Sequence, residues 1–241
     1  MLNKDSQKIF IILAAIFIAS LVACNLIFQK FFILDVGSTV FVLSVGILPY
    51  PITFLVTDIV SEIYGQKKAN RLVLAGFFAS LFIMIVLIIA DASQAVFYSP
   101  IDNDTFHKVF GLFGPAVFAS MCAYLLAQFV DIKMFHFLKD QTGGKHFWLR
   151  NNFSTLFSQI VDTSSVLILL CIASDLGWST GLSWDVFIPV FVSSYLFKVF
   201  VALIDTPIAY FICFILRRKF NLKRGETIVD LDDITLDASK S

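Results

Sequence analysis

Charged and metal-binding side chains are scarce in this sequence. Only 15% of the 241 residues are charged, whereas a soluble domain typically carries about 25%. The net charge is zero, so no basic surface points to a nucleic-acid partner. The three histidines lie outside the apolar runs, no HExxH motif occurs, and no two of the four cysteines form a CxxC pair. We therefore predict no metal site and no cofactor.

Signature motifs of enzymes and of ATP-binding proteins are also missing. The sequence has no GxSxG motif, no Ser/Lys or Ser/His pair at a persuasive spacing, and neither the Tyr-Asp nor the Gly-x-Gly-Asp pattern of intramembrane aspartyl proteases. It has no Walker motif, so any ATP-driven step would need a partner protein. These absences predict that the chain is not an enzyme and has no catalytic residues.

Apolar residues are abundant instead, at 58% of the sequence. This excess cannot all be buried in one core of this size, so much of it must face lipid. A membrane-spanning helix needs about 20 apolar residues, and six stretches qualify, at 9–28, 39–60, 72–90, 109–130, 153–173 and 186–216. The last is too long for one simple span and must tilt, extend or break, with Pro189 and Pro207 as candidate break points.

The fold class predicted from these stretches is an all-α integral membrane protein with six transmembrane helices over residues 1–220. A short, polar tail over residues 221–241 is expected to be disordered and cytoplasmic. Basic residues set the orientation, because cytoplasmic loops carry an excess of Lys and Arg. With both termini in the cytoplasm, the outside segments carry only Lys30 and Lys108. Trp178 and Trp184 then fall in an outside loop, as interface anchors would.

Ionisable and amide side chains recur inside the predicted spans at helical spacing. A charged residue in hydrocarbon costs about 2.5–3.5 kcal/mol on insertion scales, so it needs a partner or a wet cavity. Residues three or four apart share one helix face, so the polar stripes of four spans should face each other. Asp162 lies about ten residues from the inner end of its span, roughly 15 Å deep. The candidate substrate-binding residues are Asp58, Glu62, Gln128, Asp131, Asn152, Gln159, Asp162 and Lys198.

Less specific interpretations of these polar stripes stay open. Serine and threonine can join packed helices by hydrogen bonds, and Lys198 can simply neutralise one acid. Asp58, Glu62 and Asp131 lie near the cytoplasmic ends of their spans, where interfacial water would solvate them.

Several segments carry a resemblance to a known family. They read PITFLVTDIVSEIYG at 51–65, AQFVD at 127–131, WLRNNFSTLFSQIVDT at 148–163, and Phe197-Lys198 in the last span. Together they resemble the VUT family, the queuosine precursor transporters. The resemblance implies a multi-pass protein of the bacterial inner membrane, with a fold like the substrate-binding component of energy-coupling-factor transporters. It implies import of 7-cyano-7-deazaguanine, 7-aminomethyl-7-deazaguanine or queuine for tRNA queuosine salvage.

On this resemblance the candidate residues take hypothetical roles. Asp162 and Gln159 would read the donor edge of the base, since a carboxylate accepts two N–H bonds side by side. Asn152 and Gln128 would add hydrogen bonds, and Lys198 would balance the buried acids. Asp58 or Asp131 is the candidate for a coupling proton or a gate.

Alternative functions and partners follow from the same features. The chain could be the binding subunit of an ATP-driven energy-coupling-factor transporter, with the small-residue face of Ala15, Ala19 and Ala23 as its docking surface. We expect instead a stand-alone carrier whose partners are a deazapurine and membrane lipids, with no energising module and no nucleic acid. The alanine face equally suits packing within the chain or a homodimer. An intramembrane enzyme and a purely structural membrane protein are the remaining alternatives.

Overall fold

Long apolar helices make up most of the chain, and within the residues that the structure describes six of them are long and apolar enough to cross a membrane. The computed structural model describes residues 4–28, 30–36, 39–111, 115–176, 183–223 and 225–228. In chain order the elements are α1 (Lys4–Ile27), β1 (Phe31–Val36), β2 (Thr39–Ser44), a 3-10 turn (Val45–Ile47), α2 (Tyr50–Tyr64), α3 (Gln66–Ala92), α4 (Asn103–Phe110), α5 (Pro115–Gln141), α6 (Phe147–Asp175), a second 3-10 turn (Trp184–Val186) and α7 (Phe187–Phe220). The predicted helical architecture with six spans is confirmed.

The helix α2 is the most enclosed of the spans. It packs against α1, α3, α5 and α7, and nearly every residue from Thr53 to Tyr64 is buried. The outward faces of α3 and α7 instead expose large apolar side chains such as Phe82 and Phe211. In a membrane these faces meet lipid, where apolar side chains are at no disadvantage. The polar side chains of α2, which include Thr53, Thr57, Asp58 and Glu62, therefore lie in the protein interior.

The predicted start of the second span at residue 39 is wrong. Residues 39–44 form β2, which pairs antiparallel with β1 in a register from Phe31 opposite Ser44 to Val36 opposite Thr39. The backbone N–H of Val45 donates to the carbonyl oxygen of Lys30 at 2.7 Å and closes the base of this hairpin. β-branched and aromatic residues favour strands, so the apolar run that continues into α2 begins as a strand.

Other predicted boundaries also shift along the chain. The predicted start of the fourth span at residue 109 is wrong, because that residue belongs to α4, and α5 runs from Pro115 to Gln141. α6 begins at Phe147, before the predicted range 153–173, and ends at Asp175. α7 runs unbroken through Pro207 for 34 residues, about 50 Å at 1.5 Å per residue, so it extends beyond a hydrocarbon core of about 30 Å. Trp184 donates from Nε1 to Asp175 Oδ2 at 2.9 Å, whereas Trp178 lies outside the described residues.

A sharp corner joins α2 to α3 through a single residue, Gly65. Its φ of 84° lies in the left-handed region that glycine adopts without steric penalty. The start of the polar tail packs against this corner, where the backbone N–H of Ile228 donates to the carbonyl oxygen of Ile63 at 2.8 Å. The rest of the tail that the sequence predicts to be disordered, residues 224 and 229–241, lies outside the described residues.

The close approach of α1 and α3 depends on Gly76, and this yields a stability prediction. A Cβ at this position would lie 2.5 Å from Cε1 of Phe17 and 3.0 Å from Cδ2 of Leu21, and Phe17 is fully buried. We expect Gly76→Val to destabilise the fold by about 1–3 kcal/mol, as overpacking does, and to lower the thermal unfolding midpoint in detergent. Ala75→Val, on the exposed side of the same helix, is the matched control. Equal midpoints for the two variants would contradict this account.

Candidate functional site

A cavity lies between the start of α2 and the facing sides of α6 and α7. Its volume is about 30 Å³ in this conformation, which is room for about one or two water molecules. Apolar walls include Phe54 and Phe197. The polar residues that line it are Tyr50, Asp58, Asn151, Thr155, Gln159, Lys198 and Asp205. Three membrane-spanning helices therefore enclose a polar chamber.

Asp162 is the centre of a hydrogen-bonded cluster at this cavity. Its Oδ2 accepts from the hydroxyl of Tyr50 at 2.5 Å and from Nζ of Lys198 at 2.7 Å. The Tyr50 hydroxyl also lies 3.2 Å from Oε1 of Gln159, and Lys198 Nζ lies 4.6 Å from the centre of the Tyr50 ring. Lys198 also donates to Oγ1 of Thr163 at 3.2 Å. The structure thus brings together Asp162, Gln159 and Lys198, three of the predicted site residues.

The geometry of Asp162 leaves one carboxylate oxygen available. Both contacts from Tyr50 and Lys198 go to Oδ2, and Oδ1 accepts no hydrogen bond from the part of the chain that the structure describes. Tyr50, Gln159 and Lys198 line the cavity, while Asp162 lies behind them and is only 3% exposed. A ligand edge would therefore meet a charge-balanced group of donors and acceptors rather than a bare carboxylate.

Asp58 and Asp131 form a second buried group. Oδ1 of Asp58 and Oδ2 of Asp131 have no hydrogen-bond partner among the described residues, and Oδ1 of Asp131 accepts from the hydroxyl of Ser158 at 3.1 Å. Asp58 lines the cavity, whereas Asp131 lies behind it on α5. Neither acid takes part in any ion pair among the described residues. The interfacial solvation considered for these two acids is not what the structure shows, since both are almost completely buried.

Glu62 lies outside the cavity, one turn further along α2. Its carboxylate pairs with Nη2 of Arg150 at 3.2 Å and with Nζ of Lys139 at 3.4 Å, and it also contacts the guanidinium of Arg217. The ends of α2, α5 and α7 and the start of α6 meet at this carboxylate. Because this one carboxylate is buried among three basic residues, we infer that its ion pairs hold the four helices together at this end of the bundle.

Gln128 and Asn152 also lie outside the cavity lining. Gln128 donates from Nε2 to the hydroxyl of Tyr124 at 2.7 Å. Asn152 donates to the carbonyl oxygen of Trp148 at 2.8 Å and accepts from the Thr206 hydroxyl at 3.0 Å. Its neighbour Asn151 lines the cavity instead.

Sequence reasoning missed Asn151 and Tyr50 as cavity residues. Tyr50 stands between two prolines just before the motif at 51–65, and Asn151 lies within the motif at 148–163, next to the predicted Asn152. Asp205 shares roughly one helix face with Lys198, as its spacing in the sequence indicates, and it lines the cavity. Among the described residues, no group of three or more His, Cys, Asp or Glu side chains is arranged to hold a metal ion.

Six membrane-spanning helices around an internal polar cavity with buried ionisable groups define a multi-pass membrane protein of the transporter class. The chain belongs to the family described as "Putative vitamin uptake transporter", whose model matches residues 44–212. This range contains every predicted site residue. The family recognised from the sequence is confirmed.

Curated relatives agree with this family. The chain is 30% identical over 171 residues to the "Probable queuosine precursor transporter" of Bacillus subtilis (strain 168), covering 69% of this chain and 70% of that protein. It is 29% identical over 119 residues to the "Queuosine precursor transporter" of Escherichia coli (strain K12), covering 49% of this chain and 50% of that protein. No solved structure matches this chain. The chain is thus a multi-pass bacterial membrane protein related to queuosine precursor transporters.

Proposed function

We propose that this protein imports queuosine precursors, the 7-deazaguanine bases used for tRNA queuosine salvage, across the bacterial inner membrane. The observation that carries the proposal is the Asp162 cluster with Tyr50, Gln159 and Lys198 at a cavity between membrane-spanning helices. The cluster lies within the region matched by the transporter family, whose curated relatives are named for these substrates.

The chemistry of a deazaguanine suits this cavity. The base offers N1–H and amino donors on one edge, which Oε1 of Gln159 can accept at the cavity wall and Oδ1 of Asp162 can accept from behind it. Its flat ring can stack against the aromatic walls formed by Phe54 and Phe197. Lys198 balances the charge of Asp162 by pairing with it at 2.7 Å. Asn152 and Gln128 support the site without lining it. Asn152 accepts a hydrogen bond from Thr206, whose hydroxyl accepts from Asn151. Gln128 donates to the hydroxyl of Tyr124.

The proposed orientation places both termini in the cytoplasm. The Glu62 cluster supports it, because the end of α5, the start of α6 and the end of α7 each bring a basic residue to it. Cytoplasmic ends are the ones enriched in Lys and Arg. A fold like that of energy-coupling-factor binding components, with no energising module and no nucleic acid as partners, is part of the same proposal. Ala15 and Ala19 are exposed on α1, which suits lipid contact or a homodimer.

Import is proposed to be coupled to a proton held by Asp58 and Asp131. Both acids are buried, and neither has a basic partner among the described residues, which disfavours the charged form of a carboxyl group. We therefore propose that one of the two carries a proton. Because Asp58 lines the substrate cavity, release of this proton can depend on whether the cavity is occupied.

The coupling proposal predicts a separation of exchange from accumulation. In proteoliposomes with an imposed pH gradient, wild type should accumulate substrate above equilibrium. Asp131→Asn, which mimics a permanently protonated pair, should lose this accumulation while keeping substrate exchange across the membrane within about threefold. Ser158→Ala removes only the hydroxyl bound to Asp131 and serves as the control that keeps accumulation. Gradient-driven accumulation by Asp131→Asn would refute the assignment of the proton to this pair.

The experiment that tests the proposed function is rescue of tRNA queuosine. The host is a bacterium that cannot synthesise the base, lacks its own importer and lacks energy-coupling-factor modules. Each precursor is supplied separately at nanomolar concentration, with or without this chain. Queuosine that appears only with the chain supports stand-alone import and identifies the precursor. No rescue with the protein confirmed in the membrane, followed by rescue when an energising module is co-expressed, would favour the binding-subunit alternative.

A further inference from the structure

A second, larger cavity lies at the basic end of the helix bundle. It has a volume of about 740 Å³ and lies between the start of α6 and the end of α7. Its lining includes Lys145, Arg150, Arg217 and Arg218, together with the aromatic residues Trp148 and Tyr210. Glu62 is the only acidic residue among the described residues that line it. The cavity is separate from the one that contains the Asp162 cluster.

Positive charge exceeds negative charge at this cavity. The single carboxylate of Glu62 already faces Arg150, Arg217 and Lys139. Lys145 and Arg218 add two further cationic groups to the walls, and among the described residues neither forms an ion pair. Several cations that share one counter-ion favour an additional anion, since each like-charge contact is unfavourable in a partly desolvated site.

Arg150 supplies the observation that points to a ligand. Its side chain is fully buried, and its guanidinium lies 5.1 Å and 5.6 Å from the ring centres of Phe135 and Phe147. A guanidinium has five N–H donors, yet only Nη2 is bonded, while Nε and Nη1 have no hydrogen-bond partner among the described residues. Buried donors without partners are costly, and oxyanions are the ligands that match the planar donor face of arginine.

The surroundings favour a lipid as the source of the anion. Trp148 and Phe214 line the same cavity and are 53% and 62% exposed. Aromatic residues and basic residues together at helix ends lie at the headgroup level of a membrane, where basic pockets between helices bind anionic headgroups. We propose that this cavity binds the phosphate headgroup of an anionic phospholipid, with its acyl chains lying along the exposed aromatic side chains.

The test is native mass spectrometry of the purified, delipidated full chain. Phosphatidylglycerol and phosphatidylcholine are titrated separately, because they share acyl chains and a phosphate but differ in net charge. We expect wild type to bind phosphatidylglycerol at least tenfold more tightly, and Lys145→Gln/Arg218→Gln to lose about tenfold of that affinity. Both residues are outside the Glu62 ion cluster, so the variant should keep its fold. Lys4→Gln/Lys8→Gln, with the same charge change on the exposed start of α1, is the control and should bind like wild type.

Three results would overturn the lipid site. The first is equal affinity for the two lipids, and the second is the same loss of affinity in the control as in Lys145→Gln/Arg218→Gln. The third is saturable binding of inorganic phosphate that competes with phosphatidylglycerol, in a protein that shows no preference among lipids. The last result would assign the cavity to a free anion. None of these measurements uses a queuosine precursor, so their outcome is independent of the proposed import function.

Discussion

Asp162→Asn is expected to abolish uptake of 7-cyano-7-deazaguanine while the protein remains in the membrane at the wild-type level. The amide keeps the size of the carboxyl group but removes the charge that holds Lys198 at 2.7 Å. It also removes the charged acceptor proposed for one donor of the base. A hydrogen bond to a charged group contributes about 1.5–3 kcal/mol, so loss of this one lowers affinity by about 10- to 150-fold. Uptake is measured at a substrate concentration below the wild-type half-saturation value.

Two controls separate recognition of the base from folding. Asp205→Asn makes the same change in the same cavity, at a residue with no hydrogen bond to the Asp162 cluster, and should retain uptake of this uncharged precursor within about threefold. Asp162→Asn/Lys198→Gln removes both members of the ion pair and should match wild type in abundance, without uptake. Normal uptake by Asp162→Asn would refute the assignment of this residue to the proposed substrate site.

The second large effect is expected at Glu62, and it concerns folding rather than transport. Glu62→Gln leaves Lys139, Arg150 and Arg217 together in a largely buried position without their counter-ion. Removal of one partner from a buried ion pair costs about 3–5 kcal/mol, against a total stability of about 5–15 kcal/mol for a typical domain. We expect most of the variant to be lost from the monodisperse peak in fluorescence-detected size-exclusion chromatography.

The control for Glu62 is an ion pair at the same end of the bundle that water can reach. Asp5 and Lys219 lie 3.8 Å apart and are both about half exposed, and exposed pairs contribute only about 0–1 kcal/mol. Asp5→Asn should therefore leave the chromatographic profile unchanged. Glu62→Gln combined with Arg217→Gln should recover part of the lost protein, because it removes one of the unpaired cations. A stable Glu62→Gln protein would show that the cations are solvated and that the carboxylate is dispensable.

Much of the candidate site could be predicted because membrane burial makes polar residues conspicuous. Gln159, Asp162 and Lys198 stand out in apolar spans, and the structure brings their side chains together at one cavity. The sequence predicted Asn152 as a site residue, whereas its neighbour Asn151 lines the cavity. A one-residue change rotates a side chain by about 100° around a helix, so the choice between two adjacent asparagines depends on the position of α7. Sequence spacing does not contain that position.

The hairpin at 31–44 and the Glu62 cluster escaped prediction for different physical reasons. An apolar run that satisfies a span by length can begin as a strand, and only the pairing of Phe31–Val36 with Thr39–Ser44 distinguishes the two. Glu62, Lys139, Arg150 and Arg217 come from four different helices. Contacts between residues so far apart in the chain have no local signal.

By itself the sequence determined that this protein spans the membrane six times and which residues are polar within it. Both follow from local composition, because lipid requires about 20 apolar residues per span and penalises each isolated charge. The tertiary structure decided which polar residues meet. It placed Asp162 with Tyr50 and Lys198, joined Asp131 to Ser158, and left Glu62 outside the cavity beside the Asp162 cluster. Helix packing sets these partnerships, since it alone fixes the rotation and depth of each helix relative to its neighbours.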